Sequence, residues 1–493
     1  MRPRTWVLVV AAVFAVLQLG NVTGRDTPDS RNYVSYALTL GGAGKREAAA
    51  ETVDWVCAGE ASAAERAQRV DVVRFHAPSP AGRVFADCRA GELRRVERRL
   101  RIGGAQTDGH VVPFVGPRLR RIFEVRPGYP VFLLPFVSVF GVTWGVWLAS
   151  VLVAGAGGVL VFLVLRTLSV PVPLALTGQV LYYVLPVGTT AMRPMAEGLM
   201  LALTLTAVWG CALALTGRAG TERAGTAPVE MARTGTARSG TARSGTAPTG
   251  TALAGAARTG GARAGAALAG AARAGGAPVG TARTGTTLVG TVLVAGALVA
   301  LFAVKHSQAL FLGACLAAAA AVVALWRRRH GRGPGRAVAA IAAVACGAVA
   351  GTLLLARLLR YPSEAESVQD LLTGHYTHPD RAHPGREFLH LEFDFWVEWL
   401  RRQLLEPLFP AALAAGAWGA RRRPAFGVFL LAAAGTGILT QAGHPDITIG
   451  GDRLIVLAWL LPVVGVPLLL EPPAHRSVPV PAQGALRTVG VTR

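Results

Sequence analysis

The feature that most limits what this chain can fold into is a series of apolar runs, each close to the length needed to cross a bilayer. A spanning helix takes about 20 predominantly apolar residues, and runs of that order recur from Trp6 almost to the end of the 493 residues. Ten are predicted: 6–19, from about Thr143 to Leu165, 172–188, 195–216, 287–304, 309–326, 337–359, 408–420, 425–442 and 454–470. The stretch from Pro130 to Leu165 is too long for one straight span. Val131 to Phe140 is therefore expected to form a shallow or re-entrant piece ahead of it. The expected fold class is an all-α polytopic membrane protein of about ten transmembrane helices with a large first extracytoplasmic loop containing short helices. Composition agrees: 52% of residues are hydrophobic and only 16% charged, too little charged surface for a soluble chain of this size.

A net charge of +22 raises the question of nucleic acid. The arginines, however, concentrate between apolar runs, at Arg327-Arg328-Arg329, Arg332, Arg336, Arg421-Arg422-Arg423 and across 218–283. The positive-inside bias puts cytoplasmic loops at such places. No aromatics alternate with these arginines to stack bases, so no nucleic-acid partner is expected; membrane lipids are. On this reading the protein is multi-pass in the plasma membrane with both termini cytoplasmic. The first apolar run is read as an uncleaved helix, although its charged start and short apolar core also resemble a signal peptide.

Four regions follow. An N-terminal membrane region, 1–216, contains the first outer loop at 20–130, in which 48–73 and 91–102 read as helical. Residues 217–286 repeat every five residues, with arginine, proline or leucine at Arg233, Arg238, Arg243, Pro248, Leu253 and onward, and glycine two positions later. That period with so little apolar surface suits neither a helix nor a packed solenoid, and a disordered cytoplasmic linker is expected. A C-terminal membrane region, 287–471, carries a second outer loop at 360–407, and 472–493 is a cytoplasmic tail. Cys57 and Cys88 share the first outer loop, where the compartment would permit a disulfide.

Sorted by side, the polar residues with chemical potential fall on the outer face: Asp26, Asp29, Arg193, Glu197, Lys305, His306 and Arg453. Lys305 is one of two lysines in the chain. Charged groups at span ends facing a cavity are often functional; the competing reading is a lysine that snorkels to headgroups and an Asp29 that merely caps a short helix. The second outer loop holds His375, His378, Asp380, His383 and His390. A divalent metal is one reading of His-x-x-His beside a carboxylate. Pro379 and Pro384 break any helix that would align them, so a solvated loop is expected. Phe388 to Leu405, with Phe393, Phe395, Trp396 and Trp399, reads as an amphipathic interfacial helix.

The stretch Arg25-Asp26-Thr27-Pro28-Asp29-Ser30-Arg31-Asn32-Tyr33, just past the first span, resembles the GT-C superfamily. These membrane glycosyltransferases use polyprenyl-phosphate sugars and include protein mannosyltransferases and aminoarabinose transferases. Arg126-Pro127-Gly128-Tyr129-Pro130, Arg193-Pro194-Met195-Ala196-Glu197 and Asp452-Arg453-Leu454 with Pro462 are similar to later parts of that pattern. About 200 residues are touched, all through short motifs. Many relatives have a second acid beside the first, and Ser30 stands there instead. The resemblance implies a catalytic Asp29 that takes a proton from the acceptor hydroxyl. It also implies a polyprenyl-phosphate sugar donor and a substrate site drawn from Asp26, Tyr33, Arg193, Glu197, Lys305, His306 and Arg453. The acceptor is not indicated. A transporter or flippase for a lipid-linked or amphipathic substrate is the alternative, although no pair of broken spans recurs in matching halves.

Overall fold

The computed structural model describes residues 2–104, 107–216, 279–333, 335–445 and 453–472. Among these every regular element is helical, and no strand occurs. Seven helices are long and apolar enough to cross a membrane, and three shorter apolar helices accompany them. The chain is therefore an all-α, membrane-embedded protein. The five-residue repeat falls outside the described residues as far as 278, as do Asp452 and the tail from 473.

The helices are α1 (Pro3–Gln18), α2 (Pro28–Leu40), α3 (Lys45–Arg69), α4 (Ala81–Ile102), α5 (Pro117–Glu124), α6 (Gly128–Thr167), α7 (Val172–Val184), α8 (Pro186–Ala191) and α9 (Ala196–Thr216). After the repeat come α10 (Val279–Val304), α11 (His306–Arg329), α12 (Arg336–Leu358), α13 (Glu364–Leu372), α14 (Pro384–Leu405), α15 (Leu408–Ala420), α16 (Pro424–Ala442) and α17 (Leu460–Leu470), the last preceded by a 3₁₀ turn, Val456–Trp459.

Two of the boundaries expected for the spans are shifted. The expected span 172–188 is broken at Leu185, whose ψ of 168° leaves the helical region. The following Pro186 disfavours the helical conformation in its predecessor, so α8 starts afresh. Helix α10 begins at Val279, eight positions before the expected 287. Helix α6 changes direction at Gly141, with φ 70° and ψ 172°, a conformation that glycine tolerates. The kink separates the 131–140 piece from the rest of α6, where the sequence reading divides the run.

Lipid supplies no hydrophobic drive between helices, so close approach and buried hydrogen bonds have to hold the bundle. Helices α9 and α10 meet at Gly210 and Gly290, where a Cβ on either residue would come within about 2.6 Å of the other's carbonyl oxygen. Gln308 of α11 donates to Thr436 Oγ1 of α16 at 3.0 Å and accepts from Thr440 Oγ1 at 3.0 Å, all buried. Gln179 of α7 donates to the Val7 carbonyl of α1 at 3.0 Å.

Outside the bundle, α3 and α4 form a hairpin joined by a Cys57–Cys88 disulfide, with Cα atoms 5.6 Å apart. Ala49, Val53, Val96, Val112 and Phe114 pack beneath it. The loops at 20–130 and 360–407 touch. Arg118 of α5 makes a two-pronged ion pair with Asp380 at 2.9 and 3.3 Å and lies over the Tyr376 ring at 3.9 Å. Elsewhere in the fold, Arg423 reaches Glu471 at 3.0 Å and the Leu168 carbonyl at 3.4 Å. Three connections far apart in sequence thus share a second face.

Candidate functional site

The end of the bundle that faces the 20–130 loop gathers charges from four separate parts of the chain. Helix α2 starts with Thr27 as its cap. The Ser30 amide donates to Thr27 Oγ1 at 3.3 Å, and the Thr27 amide donates to Ser30 Oγ at 2.9 Å. Pro28 occupies the first helical position, where its missing N–H costs nothing. Asp29 is therefore not the cap. Thr27 and Ser30 already satisfy the end of the helix, which leaves the Asp29 carboxylate free for another partner. The same reciprocal cap gives Ser30 a structural role of its own.

That partner is Arg453, whose guanidinium bridges two carboxylates. It forms an ion pair with Asp29, and its Nε and Nη2 reach Glu197 Oε1 at 3.2 and 3.0 Å. Lys305 Nζ lies 3.8 Å from the same Glu197 oxygen. Glu197 sits in the first turn of α9, where a helix N-terminus favours a carboxylate. Lys305 occupies the single extended residue, φ −158° and ψ 92°, that separates α10 from α11. Its side chain points inward and is 13% exposed, so it does not snorkel to the headgroups. The Glu197 side chain is 5% exposed and that of Asp29 is 28%, which makes Asp29 the carboxylate open to a substrate.

Tyr33 is buried under this cluster, its ring edge-on to Phe123 and Tyr129 at 5.4 Å each. Burial raises its hydroxyl well above the ordinary tyrosine range. Burial lowers the Lys305 ammonium, and Glu197 opposes that shift. For Arg453, burial acts downward but the two carboxylates outweigh it and raise the guanidinium.

Arg126 belongs to the same cluster and was missed as a site residue by the sequence reading. It lies within electrostatic reach of Tyr33, Lys305 and Tyr361, and its Nε is buried without a hydrogen-bond partner among the described residues. Tyrosine hydroxyls hold the two carbonyls before it: Tyr36 donates to Glu124 at 3.2 Å and Tyr361 to Val125 at 2.7 Å. Behind it, Gly128 lets the start of α6 approach the end of α10. A Cβ there would lie 2.7–2.9 Å from the backbone of Ala303 and Val304. The signal available in sequence was Gly128 beside an arginine at the start of a span. His306 rests edge-on against Tyr361 at 4.6 Å, with Nδ1 buried and unpartnered among the described residues.

Two expected site residues lie elsewhere. Arg193 is exposed and makes no ion pair among the described residues; its backbone only completes the turn between α8 and α9. Asp26 turns toward α3, where its Oδ1 lies 3.3 Å from the place a Cβ on Gly59 would take. Burial raises its carboxyl, partly offset by Arg31. The histidines of the second outer loop also separate. His375 pairs with Asp370 at 3.2 Å, His390 with Asp394 at 3.7 Å, and Asp380 is taken by Arg118. Among the described residues no three His, Cys, Asp or Glu side chains gather to hold a metal.

Two carboxylates therefore face Lys305 and Arg453 in one partly enclosed cluster, with Arg126 nearby and Asp29 as its most open acid. Such a set can take a proton from a hydroxyl and hold an anionic group beside it. No family model, curated protein or solved structure matches the chain.

Proposed function

We propose that this protein is a GT-C-like membrane glycosyltransferase of ten spans, moving a sugar from a polyprenyl-phosphate donor to an acceptor at the outer face of the plasma membrane. The observation that carries this reading is the release of Asp29 from capping duty and its presentation beside Glu197, Lys305 and Arg453. In the proposed step the acceptor oxygen bonds to the anomeric carbon as the carbon–oxygen bond to the phosphate breaks. Asp29 takes the acceptor proton, and the departing phosphate keeps the electron pair. The excess of cations, with Lys305, Arg126 and Arg453 against Asp29 and Glu197, suits that anion. Glu197, buried and shared by two cations, positions them and does not touch the reacting atoms.

The ten-span arrangement draws support from contacts that hydropathy does not use. Asp29, Glu197, Lys305 and Arg453 meet at one end of the bundle, and Leu168, Arg423 and Glu471 meet in another group. Ten crossings put all of the first set on one side and all of the second on the other, provided the three short apolar helices are counted as spans. The Cys57–Cys88 disulfide on the first side suits an oxidising compartment.

The test is transfer of radiolabelled sugar from a panel of polyprenyl-phosphate donors in membranes containing wild-type protein or Asp29→Asn. Product that falls at least about 100-fold with the substitution, at equal protein level, is the expected result for loss of a general base. Product from both proteins would remove Asp29 from the mechanism. Product from neither would replace the enzyme with a transporter or flippase.

A further inference from the structure

Helix α14 carries two unlike apolar faces, and the bundle uses one of them. Phe395 is buried, and an unbroken series of ring contacts ties this side to the membrane domain. Phe395 meets Trp396 at 5.1 Å, Trp396 meets Trp399 at 5.4 Å, Trp399 meets Phe409 of α15 at 6.1 Å, and Phe409 meets Trp459 at 4.9 Å. The other face is a stripe of Leu389, Phe393, Val397, Leu400 and Leu404, each 54–74% exposed. At 3.6 residues per turn these five lie within an arc of roughly 80°. Nothing among the described residues covers them. The third face is polar, where Glu398 accepts hydrogen bonds from Arg401 and Arg402 at 2.7–2.9 Å.

We infer that α14 lies in the membrane interface, its Leu389–Leu404 stripe immersed among the acyl chains of the leaflet on the disulfide-bonded side. Continuity with the spanning helices identifies the occupant. Past Leu404 at the end of the stripe, the chain passes through Leu408, 74% exposed, directly into the apolar helix α15. A helix with one apolar and one charged face settles about 5–10 Å into the headgroup and acyl boundary. The aromatic contacts with α15 and Trp459 fix which face turns to lipid. This inference does not depend on the glycosyltransferase reading.

The test is nitroxide scanning of the full chain in liposomes of phosphatidylcholine and phosphatidylglycerol. Cys315 and Cys346 are replaced by alanine, while Cys211 stays because it is buried. Single cysteines enter at Phe393, Val397, Leu400 and Leu404, and at Asp394 and Arg401 on the polar face. The expected result is several-fold greater collision with oxygen than with a water-soluble nickel chelate at the first four, and the reverse at the last two. Nickel access along the stripe would overturn the inference in favour of a solvated helix. Protection from both reagents would overturn it in favour of a protein partner or a second copy. Phe393→Asp combined with Leu400→Asp gives a second reading: with size-exclusion profile and helicity unchanged, a label at Leu404 should gain nickel access. A Leu404 label left in lipid by those two charges would overturn the stripe as what holds α14 in the interface.

Discussion

Glu197 supports two cations from a position almost closed to solvent, and the arrangement is asymmetric in its consequences. Removing one partner of a buried ion pair leaves the remaining charge uncompensated, at a cost of about 3–5 kcal/mol. Glu197→Gln is therefore expected to lower the unfolding midpoint in detergent markedly, whereas Asp29→Asn, on a more open side chain, should lower it far less. Adding Lys305→Met to Glu197→Gln removes one of the stranded cations, so the double variant should melt above Glu197→Gln alone. A double variant that melts lower would mean that Lys305 and Glu197 do not interact. Asp26 gives a pH test with a definite sign. Its folded carboxyl is raised above the ordinary aspartate value of 3.8, first by burial. Its contribution is thus fully present below that value and is lost as pH rises through the higher folded one. Asp26→Asn should melt higher than wild type at pH 7, with a flatter pH dependence above pH 3.8; equal profiles would discard the burial argument. Much at this scale was legible in the sequence, because an acid or a lysine at a span end stands out in a chain with so few of either. Arg126 was not, since it is one of many arginines and its role depends on Tyr36 and Tyr361, far from it in sequence.

Among the elements, the α3–α4 hairpin is the part most dependent on a covalent tie. The disulfide closes a loop with a sequence separation of 31, and restricting a loop of that size in the unfolded chain stabilises the fold by roughly 3–4 kcal/mol in the chain-entropy treatment. Its packed interior is small, with Ala48, Ala49, Val53, Val96, Val112 and Phe114 gathered around Cys57. Cys88→Ser is thus expected to expose 45–102 to limited proteolysis while leaving the bundle intact. Mass spectrometry of the fragments would show cuts clustered within α3 and α4. Unchanged resistance would assign the hairpin's stability to packing alone. Helix existence was readable from apolar periodicity and length. The interruptions were less so: Leu185 could have been read from Pro186, whereas the eight extra residues of α10 come from a repeat whose composition gives little helical signal.

At the scale of the whole molecule, the sidedness of the loops is the arrangement on which every other reading rests. Arg118 to Asp380 joins the first outer loop to the second, so these loops share a face whatever the direction of insertion. The arginines at 327–329 and 421–423 end helices α11 and α15, each of which begins near that shared face. On the proposed ten-span reading each helix delivers its arginines to the opposite side, where retention of positive charge would hold them in the cytoplasm. Single cysteines at Arg328 and His378, in a background with Cys315 and Cys346 replaced, make this a measurable difference. A membrane-impermeant maleimide should label His378→Cys on intact cells and Arg328→Cys only after permeabilisation. Labelling of both on intact cells would break the parity of the spans between them, α12 above all. Labelling of Arg328→Cys alone would invert the protein, placing the disulfide and the Asp29 cluster inside the cell, where neither a stable disulfide nor chemistry at the outer leaflet is expected.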